Sequence, residues 1–189
     1  YVGTGSSFES FDGSGSSGMI GMGMYKSTDG ENFELLPVTI PTPTNSTGAD
    51  WTNINAIAVD PTNDERVFAA TKQGLMLSSN GGTTWECAAN NVVGQCVGSV
   101  QDVKIAPDGT VMMVTGGLVM VSADGSVGSF ELATGSSTPG GQRTVIQYST
   151  NGDTAWAFSV TGGHIRGLYR SADKGYTWSL AQGPVTNTW

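Results

Sequence analysis

The chain has 189 residues, 28 of them glycine, and 8 basic against 16 acidic side chains give it a formal charge of −8. That balance opposes phosphate backbones and anionic lipid surfaces, so nucleic acid is not expected as a partner. No apolar run approaches the ~20 residues needed to cross a bilayer, which argues against a membrane span.

Residues 1–20 lack the basic and apolar regions of a signal peptide, and the sequence reads as an already processed or excised piece. Abundant Gly, Ser, Thr and Asn, few charges and no sustained helical periodicity predict short strands joined by turns, with almost no helix.

In chain order, residues 1–5 read as the close of a strand. A long loop, 6–18, follows, with Phe8 and Phe11 in a Gly/Ser background; these rings either stack on a ligand or tuck under the sheet. Asp12-Gly13-Ser14-Gly15-Ser16 has too few carboxylates to fill a calcium shell. The first turn is Ser27-Thr28-Asp29-Gly30-Glu31-Asn32-Phe33, and Asn45-Ser46-Thr47 is a glycosylation sequon by pattern. Trp51 and Asn53 lie in the lead-in to strands at 55–61, 66–71 and 74–77, which run into the turn Ser78-Ser79-Asn80-Gly81-Gly82-Thr83-Thr84-Trp85. Cys87 and Cys96 then either form a disulfide clamping a loop, which needs an oxidising compartment, or are two unrelated thiols. Strands at 103–107, 110–115 and 117–121 lead to Ser122-Ala123-Asp124-Gly125-Ser126-Val127-Gly128-Ser129-Phe130. Strands at 144–148, 154–159 and 167–170 lead to Ser171-Ala172-Asp173-Lys174-Gly175-Tyr176-Thr177-Trp178, and a fourth strand follows each aromatic.

The pattern Ser-x-Asp-x-Gly-x-Thr-Trp explains the order. Asp29, Asn80, Asp124 or Asp173 accepts backbone N–H groups of its own turn, Gly82 or Gly175 takes the positive φ of a tight connection, and Phe33, Trp85, Phe130 or Trp178 returns an aromatic to the core. The leading serines, Ser27, Ser78, Ser122 and Ser171, are 51, 44 and 49 residues apart, the period of a four-stranded repeat.

On these turns the chain resembles the Asp-box (bacterial neuraminidase repeat) propellers, which include sialidases, sortilin-type receptors, xyloglucan-degrading enzymes and photosystem assembly factors. The phrase from Asp60-Pro61 to Thr71, with Gly74-Leu75 and the turn after it, is most similar to the xyloglucanase and sortilin branches. The resemblance implies an all-β propeller of four-stranded antiparallel blades, with about three complete blades and a partial one. The units expected are 1–48, 49–97, 98–140 and 141–189. Residues 1–5 match the end of a second strand and 185–189 match the lead-in at 49–53, so the remaining blades of a larger ring are expected from the same or another chain.

The resemblance also places a ligand face at the loops opposite the repeated turns. It exposes Phe8, Phe11, Asp12, Trp51, Asn53, Gln101, Asp102, Arg143, His164 and Arg166. Asp102, just ahead of a first strand, either bonds its neighbouring loop or serves as one of two glycosidase carboxylates about 5–10 Å apart. His164, the one histidine, has no second ligand at metal spacing and reads as a loop residue; no metal or cofactor is expected. Sialidases carry an arginine triad and an Arg-Ile/Val-Pro motif, and none of Arg66, Arg143, Arg166 and Arg170 precedes proline. Two readings follow: a non-catalytic secreted, periplasmic or cell-surface module that binds protein or glycan or serves an assembly, or a glycoside hydrolase of xyloglucanase type.

Overall fold

The computed structural model describes residues 1–7, 19–41, 51–90 and 96–183. Phe8, Phe11, Asp12 and the sequon at Asn45 lie outside them. The described chain is all-β, with no α-helix and one 3-10 turn at Pro37–Thr39.

Antiparallel sheets follow one another along the chain. The first holds β1 (Val2–Gly3), β2 (Met24–Lys26) and β3 (Glu34–Leu35). The second holds β4 (Ile54–Asp60), β5 (Asn63–Thr71), β6 (Leu75–Ser78) and β7 (Glu86–Cys87). The third holds β8 (Val100–Ile105), β9 (Val111–Thr115), β10 (Leu118–Ser122) and β11 (Glu131–Leu132). After β12 (Thr134–Gly135), the fourth holds β13 (Arg143–Tyr148), β14 (Ala155–Thr161), β15 (His164–Ser171) and β16 (Thr177–Gln182). β12 pairs in parallel with β16, so the end of the third repeat adds a fifth strand to the fourth sheet.

Register makes the repeats comparable position by position. Ser78 pairs with Val67, Ser122 with Val111 and Ser171 with Ala155. Phe68, Met112 and Trp156 are therefore equivalent, as are Ala70, Val114 and Phe158, and Leu75, Val119 and Leu168. Because side chains alternate across a strand, these positions share the face that looks along the chain toward the next sheet. In the second sheet, Phe68, Ala70, Leu75 and Leu77 are buried in one cluster with Val103, Val111 and Met113 of the third. The third sheet repeats this: Met112, Val114, Val119 and Val121 pack with Ile146, Ala155, Ala157, Tyr169 and Trp178 of the fourth. Each fully buried Val, Leu or Phe contributes about 1.5–3 kcal/mol, so the stacking of sheets supplies most of the apolar stabilisation. In the fourth sheet the equivalents Trp156 and Phe158 are 38% exposed beside Val145, and Arg170 lies over the Trp156 ring.

The turn aromatics point the other way, onto the sheet before. Trp178 and Phe130 join the clusters shared with the preceding sheet, and Trp85 packs with Met24 and Trp51. Phe33 departs from the expected plug and is 46% exposed, since no described sheet precedes β1 to β3.

Polar side chains stitch the innermost strands. Asn55 Nδ2 donates to Val100 O at 2.7 Å, and Gln101 accepts from Thr144 N at 2.9 Å while donating to Gln142 O at 2.8 Å. Cys87 and Cys96 form a disulfide, with Cα atoms 5.7 Å apart. This resolves the alternative left by the sequence. Such a short loop gives about 2–3 kcal/mol of stabilisation in the chain-entropy picture.

Candidate functional site

An up-and-down antiparallel sheet puts its first and third connections at one end and its second at the other. The repeated turns and the hairpins after β4, β8 and β13 thus form a turn end; the hairpins after β5, β9 and β14 and the lead-ins to first strands form a loop end.

The turn end is built from backbone hydrogen bonds. Ser27, Ser78, Ser122 and Ser171 each accept, through Oγ, the N–H of the turn glycine: Gly30 at 2.8 Å, Gly82 at 2.8 Å, Gly125 at 2.7 Å and Gly175 at 2.8 Å. Asn80 accepts Thr84 N at 2.9 Å and Asp173 accepts Thr177 N at 2.8 Å. All four glycines have positive φ, and Lys174 shares the left-handed region at φ 61°, where the second repeat has Gly81.

These bonds favour the ionised carboxylates. The side chain and N–H of Asn32 hold Asp29 well below the ordinary carboxylate range, and the N–H of Ser126 lowers Asp124. At Asp173 burial opposes ionisation, but bonds from Thr177 and Ser171 outweigh it. Asp108, in the hairpin after β8, is lowered to about 2, first by its bond from Lys174 in the next repeat's turn. A cavity of about 350 Å³ opens here beside Lys26, Asp29 and Asn32. The Asp29 carboxylate and the Asn32 amide are bonded to each other within the turn, which leaves them little to offer a ligand.

At the loop end lies a cleft of about 200 Å³, lined by Asn55, Gln101, Asp102, Lys104, Arg143 and Thr144. It runs across the first strands of three successive sheets. Asp102 sits inside β8, at an irregularity in its pairing with β9, rather than ahead of the strand. It is 5% exposed. One carboxylate oxygen accepts Val103 N and binds Lys104; the other accepts Ile146 N of the next sheet at 3.0 Å.

The other candidates separate into two groups. Trp51 and Asn53 are buried: Trp51 meets Trp85 edge to face with centroids 5.0 Å apart, and Asn53 donates to Ser6 O and Met19 O. Arg143, His164 and Arg166 are exposed at the loop end of the fourth sheet. His164 opens β15 rather than sitting in a loop, because the hairpin after β14 closes in two residues, Gly162 and Gly163, both at positive φ. Register sets Arg143 opposite Val160 and Val160 opposite Ile165, with His164 and Arg166 flanking Ile165 along β15. Sequence reasoning missed Asn55, Lys104 and Thr144. The signal available was the recurrence of an amide near the start of successive first strands, at Asn55 and Gln101.

Among the described residues, no second carboxylate stands beside Asp102 at this end. No cluster of three metal-ligating side chains occurs among the described residues, and none of their helices is long and apolar enough to cross a membrane.

No family model matches the chain, and no curated protein matches it. Among solved structures, an ancestral GH74 enzyme aligns over 87% of the chain at TM-score 0.63 and 21% identity. The GH74 enzyme of Niastella koreensis aligns over 79% at TM-score 0.51 and 22% identity. The alignments cover 22% and 20% of those chains, so this chain spans about a fifth of their length. At these identities the likeness shows the fold alone: the sheets are arranged as in a propeller-type protein.

Proposed function

We propose that the chain is a non-catalytic propeller module that binds a glycan or a protein through its loop end, or serves as a structural part of an assembly. The repeated turns are Asp-boxes, and the repeat units are 1–48, 49–97, 98–140 and 141–189. Further blades, from the same or another chain, cover the apolar face carrying Val145, Trp156 and Phe158. The module works in an extracellular, periplasmic or cell-surface setting, to which the Cys87–Cys96 disulfide is suited.

The observation that carries the reading is the state of Asp102. Both carboxylate oxygens are engaged, one of them by the backbone of the neighbouring sheet, so the side chain joins repeats, which supports a structural role. The second reading, a glycoside hydrolase of xyloglucanase type with Asp102 as one catalytic carboxylate, draws on the GH74 likeness in fold. Hydrolysis of a panel of β-glucans and sialyl substrates separates the two. The module reading expects no turnover from the native chain; turnover abolished by Asp102→Asn in a variant that stays folded overturns it.

A further inference from the structure

The interfaces between successive sheets share one contact. The residue before the turn glycine, Gly81, Asp124 or Lys174, offers its carbonyl to a side-chain donor in every case. At the first interface Lys26, 5.3 Å from the centre of the Tyr1 ring, donates to Gly81 O at 3.0 Å. At the second Arg66, 5.0 Å from the centre of the Phe68 ring, donates to Asp124 O. At the third the preceding sheet offers Met112 and Val121, which have no donor, and Lys174 O accepts from Tyr148 of its own sheet at 3.0 Å. The incoming glycine lies against the same place each time. A Cβ on Gly82 would meet Tyr1 and Leu36, one on Gly125 Phe68 and Arg66, and one on Gly175 Met112 and Val121.

The fourth sheet carries the same device with nothing docked on it. Continuing the register of Val2 with Tyr25 sets Lys26 opposite Tyr1, and Arg170 is paired with Trp156 in the equivalent place. The Arg170 guanidinium lies 5.9 Å from the centre of the Trp156 ring, is exposed, and makes no hydrogen bond among the described residues. Trp156, Phe158 and Leu168 beside it line a cavity of about 240 Å³.

No described sheet precedes the first turn, and its parts are correspondingly bare. A Cβ on Gly30 would meet nothing within 4 Å, and Phe33 is 46% exposed where Trp178 is 2%. Ser27-Thr28-Asp29-Gly30 has the spacing of Ser122-Ala123-Asp124-Gly125, the turn that docks on an arginine and an aromatic of the second sheet. Asp29 and Glu31, both exposed, give the first turn the sign opposite to Arg170.

We propose that a second copy of this chain docks head to tail on the fourth sheet, its Asp29 carbonyl accepting from Arg170 and its Phe33 packing on Trp156, Phe158 and Leu168. The covering blade is then a blade of this same chain, and the proposal rests on the reading that a further blade covers that face. A guanidinium stacked on an indole is already held in direction, so it meets the incoming carbonyl at little cost in side-chain entropy. The junction is heterologous, one face from each copy, so a copy joined at one end keeps its other end for another.

The test is sedimentation of the purified chain from dilute to concentrated solution. The native chain is expected to associate beyond the monomer as concentration rises. Trp156→Ser and Phe33→Ser each weaken association about thirtyfold or more, as loss of an aromatic anchor does, and Arg170→Gln weakens it about tenfold. An equal mixture of Trp156→Ser and Phe33→Ser forms a dimer, because the intact fourth sheet of one meets the intact first turn of the other. Circular dichroism matches the native chain in every variant. Association that these substitutions leave unchanged, or a mixture that stays monomeric, overturns the head-to-tail docking. A native chain that is monomeric throughout overturns the second copy. In that monomer, an apolar dye whose signal falls on Trp156→Ser keeps the reading of an uncovered blade face, and a signal indifferent to the substitution overturns that reading as well.

Discussion

The Asp102 carboxylate accepts the backbone N–H of Ile146 at 3.0 Å, joining the innermost strand of the third sheet to that of the fourth. A side chain does here what a backbone ladder does within each sheet. Asp102→Ala leaves that buried N–H without its acceptor and removes the partner of Lys104. The expected cost is about 2–3 kcal/mol, read as a fall in Tm of about 5–10 °C with the all-β circular dichroism retained.

Trp178 and Phe33 occupy the same place in the repeated turn and opposite environments. Trp178 is 2% exposed and its indole donates to Gly175 O at 2.7 Å, as Trp85 does to Gly82 O at 3.1 Å. Trp178→Ala is expected to destabilise by about 3–5 kcal/mol, against within about 0.5 kcal/mol for Phe33→Ala. Urea unfolding of the two variants side by side checks the contrast.

The disulfide and one glycine form a coupled pair. A Cβ at Gly74 would clash with Cys96 Sγ, and the residue holds φ 154°. Reduction of the native chain is expected to cost about 2–3 kcal/mol. Gly74→Ala destabilises the oxidised protein, and reduction then costs that variant less than it costs the native chain, because part of the clash is relieved. Thermal melts of both chains, with and without reductant, give the four values needed.

The turn-end carboxylates make stability acid-sensitive, with a definite sign. The bond from Lys174 lowers Asp108 from the ordinary carboxylate value of 3.8 to about 2, and Asp29, Asp124 and Asp173 are also lowered. A group whose folded pKa is depressed stabilises the fold above its unfolded pKa and loses that contribution as pH falls through the folded value. Stability is therefore expected to fall from about pH 4 toward pH 2. Asp108→Asn flattens part of that fall, and unfolding free energies across this window measure it.

The repeat was legible because its residues act locally. Ser171, Asp173 and Gly175 each complete a bond or a dihedral within their own turn, and such chemistry survives in the sequence as spacing. The strand order followed from the same turns. What the sequence could not carry were relations across sheets: that Trp51 is buried against Trp85, that Asp102 reaches Ile146, and that β12 pairs with β16. These depend on how far one sheet is turned against the next, and no spacing within a repeat encodes that angle. The loop-end residues were legible by position along the strands but not by burial, so Asn53 and Arg143 looked alike until the structure separated them.

The central claim is that the Asp102 carboxylate joins the third sheet to the fourth. Amide hydrogen exchange at Ile146, compared between the native chain and Asp102→Ala by NMR, tests it most directly. The account predicts slow exchange in the native chain and exchange faster by about tenfold or more in the variant, while Val114, buried within the third sheet, changes less. Equal exchange at Ile146 in the two proteins would contradict it.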